Sequence, residues 1–182
     1  MPPLNPSTEL YTLGKGVLWI AEWSGGSPGA YADVGNCPKM EVEITVEKLD
    51  HFSSRSGAKN KDKSVVIERG YKVNFDLDEK SNKNLAMFLL GSQVGNTVRA
   101  LTNTTKEYAI KFKADNAAGP NDKWEFWKSS ISPSGNASLI TDDWMKFSYI
   151  AEGLADIAMH ASSPYFDVTG TTTTSTTTTT TA

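Results

Sequence analysis

One cysteine in 182 residues leaves Cys37 without an internal disulfide partner, a usage that fits a reducing compartment. Histidines number only two, His51 and His160, far apart in the chain. A metal centre needs several ligands at suitable spacing, and this set does not supply them. No apolar run approaches the roughly 18 residues of a membrane span. There is no basic excess: 18 Lys and Arg face 21 Asp and Glu, for a net charge of -3, whereas a general nucleic-acid binder would be basic. The opening MPPLNPSTELYTLGKG has no basic or apolar stretch of the kind a secretory signal uses, so a cytosolic product is expected. No GxGxxG or Walker A pattern occurs, and Gly14-Lys15-Gly16 is too short for a phosphate loop. Hydrophobic residues make up 38% of the chain, low enough to predict long loops or an unstructured tail.

What is present is alternation. Residues Met40 to Glu47 read MEVEITVE and residues Tyr71 to Asp78 read YKVNFDLD. A period of two sends one set to a core and the other to water. Met40, Val42, Ile44, Val46, Tyr71, Val73, Phe75 and Leu77 form the apolar set. The polar set holds Glu41, Glu43, Glu47, Asp76 and Asp78 against a single Lys72. Together they predict a hairpin of two long strands, Met40 to Phe52 and Val65 to Asp78. Between them the polar segment Ser53 to Ser64 carries Arg55, Lys59, Lys61 and Lys63 against Asp62 alone. Twelve residues are many for a hairpin loop, and such loops are usually functional or mobile.

Further strands are expected at Val17 to Glu22, Tyr31 to Val34, Thr97 to Leu101, Tyr108 to Asp115, Lys123 to Ser132 and Asp143 to Glu152, with short edges at Asp156 to Met159 and Tyr165 to Val168. SGGSPG, residues 24 to 29, reads as a turn. One helix is predicted, with Ser81 as N-cap, the run LAMFLL up to Leu90 and Gly91 at its C-terminal end. Leu85, Phe88 and Leu89 are its expected buried face. The predicted fold is mainly β, a β-sandwich or barrel with one flanking α-helix. Residues 1–10 read as an N-terminal arm, 11–168 as the β domain and 169–182 as a Thr-rich low-complexity tail with no apolar area to bury.

Candidate chemistry is sparse. His51 lies beside Asp50 and near Ser53 and Ser54, but strand neighbours point to opposite faces and hydrolase triads come from separated segments. A histidine hydrogen-bonded at a strand end is the plainer reading, and His160 stands isolated in sequence. Paired carboxylates on the acidic face could suggest glycosidase work, which requires a pocket; a regular acidic stripe is by default a solvated face. Asn103-Thr104-Thr105 and Asn136-Ala137-Ser138 match glycosylation acceptors by chance. The basic loop lacks the interleaved aromatics of a base-stacking surface, which leaves a charged arm that docks on an acidic patch, or a solvated loop. Trp124 and Trp127 fall on opposite faces of one strand, so one of them is expected to meet the helix or another subunit. No catalytic, cofactor-binding or metal residue is assigned; no cofactor is implied, and the chain is not expected to be an enzyme.

Taken together, TLGKGVLWIAE (Thr12 to Glu22), the acidic strand running into KLDHFSSRSG (Lys48 to Gly57), YKVNFDLDEKSNKNLAMFLLG (Tyr71 to Gly91) and DDWMKFSYIAEGLADIAMHASSPYFDV (Asp142 to Val168) resemble the siphophage major tail tube protein family. Order and spacing are similar over residues 8 to 168. The resemblance implies a β-sandwich or barrel with a flanking helix, assembling into hexameric rings whose strands join into one inner barrel. Rings would stack around a tape-measure protein into a tube through which genome DNA passes without specific binding. Tail terminator and distal tail proteins would be further partners. The implied location is the virion tail, with assembly in the host cytoplasm and no membrane association. Under that reading Glu41, Glu43, Glu47, Asp76 and Asp78 would line the lumen, where carboxylates repel phosphates. Five acids less Lys72 give -4, on the order of -24 per hexamer before screening. Arg55, Lys59, Lys61 and Lys63, in the loop 53–64, would reach the adjacent ring. Alternative readings are a tube of a type VI secretion-like system, which shares the fold, and a phage capsid decoration or adhesive β-sandwich.

Overall fold

The structure is a computed structural model, and it describes residues 8–170 except Ser56. Most of the expected N-terminal arm and most of the Thr-rich tail therefore lie outside the described residues. After a short 3-10 turn at Thr8–Leu10, the elements in chain order are β1 (Gly16–Ser24), β2 (Ser27–Pro28), β3 (Ala32–Asp33), β4 (Lys39–Ser53), β5 (Asn60–Leu77), α1 (Asn82–Phe88), β6 (Ser92–Val94), β7 (Thr97–Arg99), β8 (Glu107–Ala114), β9 (Lys123–Pro133), β10 (Phe147–Gly153) and β11 (Phe166–Thr169). The expected mainly β fold with one helix is what forms. Strands of one large antiparallel sheet follow the order β2-β1-β8-β9-β10-β5-β4, with β3 also on β1 and β11 also on β9; β6 and β7 make a separate ribbon.

Local sequence explains the tightest connection. Ser24 pairs with Ser27 across Gly25-Gly26, and both glycines have positive φ, 62° and 86°. That two-residue geometry matches the twist of the flanking strands and is open to glycine at little steric cost.

The sheet is curled. In its order β1 and β5 stand four spacings apart, about 19 Å if the sheet were flat. Yet Val34 N donates to Leu18 O on β1 at 3.2 Å, while Asn36 O accepts from Asp78 N just past β5 at 3.4 Å. Two residues of chain reach at most about 7 Å, so the two sides of the sheet must approach each other. The concave side holds the core: Leu18, Ile20, Tyr71, Val73, Phe75, Leu77, Tyr108, Ile110, Phe126, Ile131, Phe147 and Tyr149 are all buried. Phe75 stacks on Tyr149 with ring centroids 4.9 Å apart. The helix joins this core through Phe88, against Phe147 at 5.1 Å and Tyr149 at 5.9 Å.

Helix α1 departs from its expected face. Ser81 caps it as predicted, accepting from Asn84 N at 3.1 Å. Its most buried residues are Asn84, Ala86 and Met87, however, with Leu85 and Phe88 only partly covered. The reason is polar: Asn84 Nδ2 donates to Val34 O (2.8 Å) and Glu79 O (2.9 Å), and its own carbonyl accepts from Tyr149 Oη at 2.8 Å. One residue, through its side-chain amide and its backbone carbonyl, thus ties helix, β3 exit and β10 together, and that fixes the helix's rotation. Leu90, not Gly91, takes the left-handed turn (φ 47°). Gly91 is required for closeness instead, since an added Cβ would sit 2.0 Å from Arg99 O.

Other boundaries also moved. β10 begins at Phe147 rather than Asp143, which leaves 143–146 in a loop. Residues 156 to 159 form a turn, not an edge strand. Within the chain, Trp127 stacks on His160 at 3.8 Å and donates Nε1–H to Ser163 O at 2.8 Å.

Candidate assembly surfaces

The β4–β5 hairpin is the feature that stands apart. Its strands run 15 and 18 residues, and the longer spans about 60 Å. β10 pairs with β5 only from Lys72 to Leu77. From there outward, β5 has β4 as its strand partner and the curled sheet no longer lies beneath it. Tyr165 buttresses the exit point, donating Oη–H to Arg69 O at 2.8 Å, and the Tyr71 ring meets Phe166 at 5.4 Å.

This corrects part of the expected core. Ile44 and Val46, assigned to the buried set, are 57% and 49% exposed. Leu49, Phe52, Val65, Val66 and Ile67 are exposed as well. The strands alternate, but only Tyr71, Val73, Phe75 and Leu77 of β5 and the facing Met40 and Val42 reach the core layer.

Loop 53–64 is also shorter than expected. Pairing continues through Phe52↔Lys61 and Ser53↔Asn60, with irregularities between Glu47 and Lys48 and between His51 and Phe52. Lys61 and Lys63 therefore belong to a strand, while Arg55 and Lys59 remain in the connection. Bulges absorb the extra residues, shifting the register while letting pairing continue. At the second bulge His51 Nδ1 meets Asp62 Oδ1 at 2.6 Å, and Lys61 pairs with Asp50 at 2.7 Å. Ser64 Oγ donates to Asp50 at 2.6 Å. Lys61 and Ser64 together hold the Asp50 carboxyl below its usual range. His51 is thus tied across the hairpin on an exposed ribbon, while Ser53 Oγ accepts from Arg55 N at 3.5 Å.

The acidic face is assembled as the pattern implied. Residues directly opposed on antiparallel strands share a face. Register pairs Lys39 with Asp76, Glu41 with Asn74, Glu43 with Lys72 and Glu47 with Glu68. Glu41, Glu43 and Glu47 are exposed, and Asp76 and Asp78 are half-buried, outside the core. Sequence reading missed Lys39 and Glu68, whose membership follows only from the register. With them, six carboxylates less two ammonium groups still leave -4. Lys72 is drawn sideways to Glu152 on β10 at 3.3 Å, which extends the acidic stripe to a further strand. Lys39 pairs with Glu41 at 3.0 Å. Asp78 is fixed by Asn36 Nδ2 at 2.6 Å. The Glu47–Glu68 juxtaposition sets like charges directly opposite, which costs stability in an isolated hairpin.

Elsewhere the polar groups serve the fold. His160, isolated in sequence, pairs through Nδ1 with Asp156 Oδ2 at 2.7 Å. Lys111 and Lys123 converge on Glu125 at 3.0 and 2.7 Å. Burial acts to raise the Glu125 carboxyl, but the two lysines outweigh it and hold it low. Burial pushes the Cys37 thiol up to about 11. A cleft of about 580 Å3 between α1 and β1–β3 has Glu22, Asp33, Lys83 and Lys106 on its walls; Glu22 and Lys106 are paired there, and Asp33 accepts from Gly35 N. Among the described residues no group of three or more His, Cys, Asp or Glu side chains could hold a metal ion.

Against known proteins, residues 11–97 match a family described as "Protein of unknown function UCP028589". No curated protein matches the chain. A solved structure described as "Tail of empty GTA particle computed with helical refinement, C6 symmetry" is similar at 14% identity, covering 74% of this chain and 89% of that one, with a TM-score of 0.38. A likeness of that order carries no inference about what the chain does.

Proposed function

We propose that this chain is the major tail tube protein of a siphophage-type tail. Its hexameric rings stack into a hollow conduit for genome DNA, with a tape-measure protein inside during assembly and terminator and distal tail proteins at the ends. The observation that carries the reading is the β4–β5 hairpin, half of which stands clear of the domain with seven large apolar side chains exposed. A two-stranded ribbon is at best marginally stable in water by itself, and exposed apolar area of this kind marks an interaction surface. β4 is moreover the end of the sheet order, so a 15-residue edge is unpaired among the described strands. Long free edges invite aggregation unless something covers them. Closing a ring edge to edge covers this one, and stacking rings buries the ribbon. The sequence resemblance over residues 8 to 168 supports the same conclusion.

In that assembly the acidic face of β4 and β5, with Glu41, Glu43, Glu47, Asp76, Asp78 and Glu68, lines the lumen. Six copies at -4 give on the order of -24 per ring, reduced by screening, enough to keep DNA phosphates from adhering. Arg55, Lys59, Lys61 and Lys63 at the far end of the hairpin reach the next ring. Purified protein examined by negative-stain microscopy should show hollow tubes. Deleting Arg55–Lys63 should leave a folded, monodisperse species that does not elongate; tubes of normal length from that variant would refute the inter-ring role. Trimers without filaments would point instead to a capsid decoration protein.

A further inference from the structure

The hairpin tip needs a receiving surface, and the loop joining β9 to β10 has the matching properties. Its ends are anchored: Ala137 and Met145 pack against the core cluster. Between them Leu139, Ile140 and Trp144 are 79%, 96% and 85% exposed. Their display is shaped rather than random. Ser138 Oγ donates to Ile140 O at 3.2 Å, Asp143 N to Thr141 Oγ1 at 3.1 Å, and Trp144 N to Asp143 Oδ1 at 2.7 Å. Three large apolar side chains and the Asp142-Asp143 pair are thus held outward on one short loop.

Register places this loop at the opposite pole from the tip. Phe147 opposes Leu77 and Tyr149 opposes Pro133, so the loop sits where β5 ends. The tip lies where β5 begins, at Ser53↔Asn60. Seventeen residues of strand separate the two ends of β5, about 55 Å. The two surfaces therefore cannot meet within one chain. They are also opposite in charge: Lys48, Arg55, Lys59, Lys61 and Lys63 exceed Asp50 and Asp62 at the tip, whereas Asp142 and Asp143 face only Lys146 on the loop. Both carry exposed apolar groups, with Leu49 and Phe52 on the tip side.

We propose that the Leu139–Trp144 loop is the socket that receives the hairpin tip of a second copy in the next ring. This rests on the tube reading and adds the identity of the receiving surface. A contact between different patches at opposite poles repeats without closing, the geometry of a filament. Complementary charge sets its register and rejects the reversed orientation.

Charge reversal tests it. Asp142→Lys with Asp143→Lys should raise the critical concentration for tube formation by about tenfold or more through like-charge apposition. Adding Lys59→Glu and Lys63→Glu to the same chain should bring it back toward wild type. Equal critical concentrations for the wild type and the loop double variant, or no recovery in the fourfold variant, would overturn the socket. A second readout does not depend on charge: Ser54→Cys and Leu139→Cys are combined in a Cys37→Ser chain and oxidised after assembly. A reducible ladder of covalent multimers is expected, because a disulfide requires Cα atoms within about 7 Å and the two positions lie at opposite poles of a chain. Tubes without a ladder would overturn the socket while leaving the tube standing. Absence of tubes from wild-type protein would instead overturn the tube reading and the socket with it.

Discussion

Replacing Leu49 and Val65 together by serine should abolish assembly while leaving the monomer's stability almost untouched. The two residues oppose one another on the detached half of the hairpin, 64% and 48% exposed. Full burial of a Leu or Val side chain stabilises by about 1.5 to 3 kcal/mol. Scaled by the area still open, an interface can gain roughly 1 to 2 kcal/mol from Leu49 and about 1 from Val65. Losing both removes about 2 to 3 kcal/mol per contact, a factor of roughly 30 to 150 in its dissociation constant. A ring presents several such contacts at once, so the effect on ring addition multiplies. Sedimentation across a concentration series gives the critical concentration, and thermal unfolding of the dilute protein gives monomer stability. A large rise in the first with a shift of under about 2 °C in the second is expected. A several-degree loss of Tm with unchanged assembly would show that these side chains belong to the monomer's own core, and would undo the reasoning.

Three further outcomes follow from the core and its ties. Asn84→Ala removes donors to Val34 O and Glu79 O at a site 2% exposed and should cost about 3 kcal/mol, read as a drop in the denaturation midpoint; an unchanged midpoint would mean the amide does not fix the helix. Glu125→Gln should destabilise by about 1 kcal/mol at neutral pH. Because the folded state lowers the Glu125 pKa, that difference is present above the ordinary carboxylate value and fades as pH falls through the lowered one; a difference that grows toward acid pH would contradict the ion-pair account. Cys37, with its thiol raised to about 11 by burial, should react with a maleimide at neutral pH about 100-fold more slowly than an exposed cysteine, as mass spectrometry of timed quenches would show.

The alternating strands were legible because period-two burial leaves its mark wherever a sheet covers one face. MEVEITVE and YKVNFDLD alternate as written, and Glu41, Glu43, Glu47 and Asp76 do share a face. What sequence could not disclose is where the neighbouring layer stops. Ile44 and Val46 carry the same pattern as Met40 and Val42, yet lie beyond the reach of β10. Register was equally hidden: pairing that continues past bulges at Glu47/Lys48 and His51/Phe52 shortens the connection, and Glu68 opposite Glu47 adds a further carboxylate to the acidic face. The Asn84 amide and the His160–Trp127 stack join residues 33 or more positions apart, and no local pattern announces such contacts. The aromatic run Asp143 to Glu152 reads as one strand; Thr141 and Asp143, by bonding the backbone locally, hold Trp144 out in a loop instead.

In the proposed assembly the acidic face of the hairpin lines a channel built by copies of this chain. A cryo-electron microscopy reconstruction of the assembled protein tests it most directly. The expected map is a hollow tube of stacked rings with Glu41, Glu43, Glu47 and Glu68 on the inner wall and the hairpin tip against the next ring. The same side chains on the outer wall, or in a contact between subunits of one ring, would contradict it.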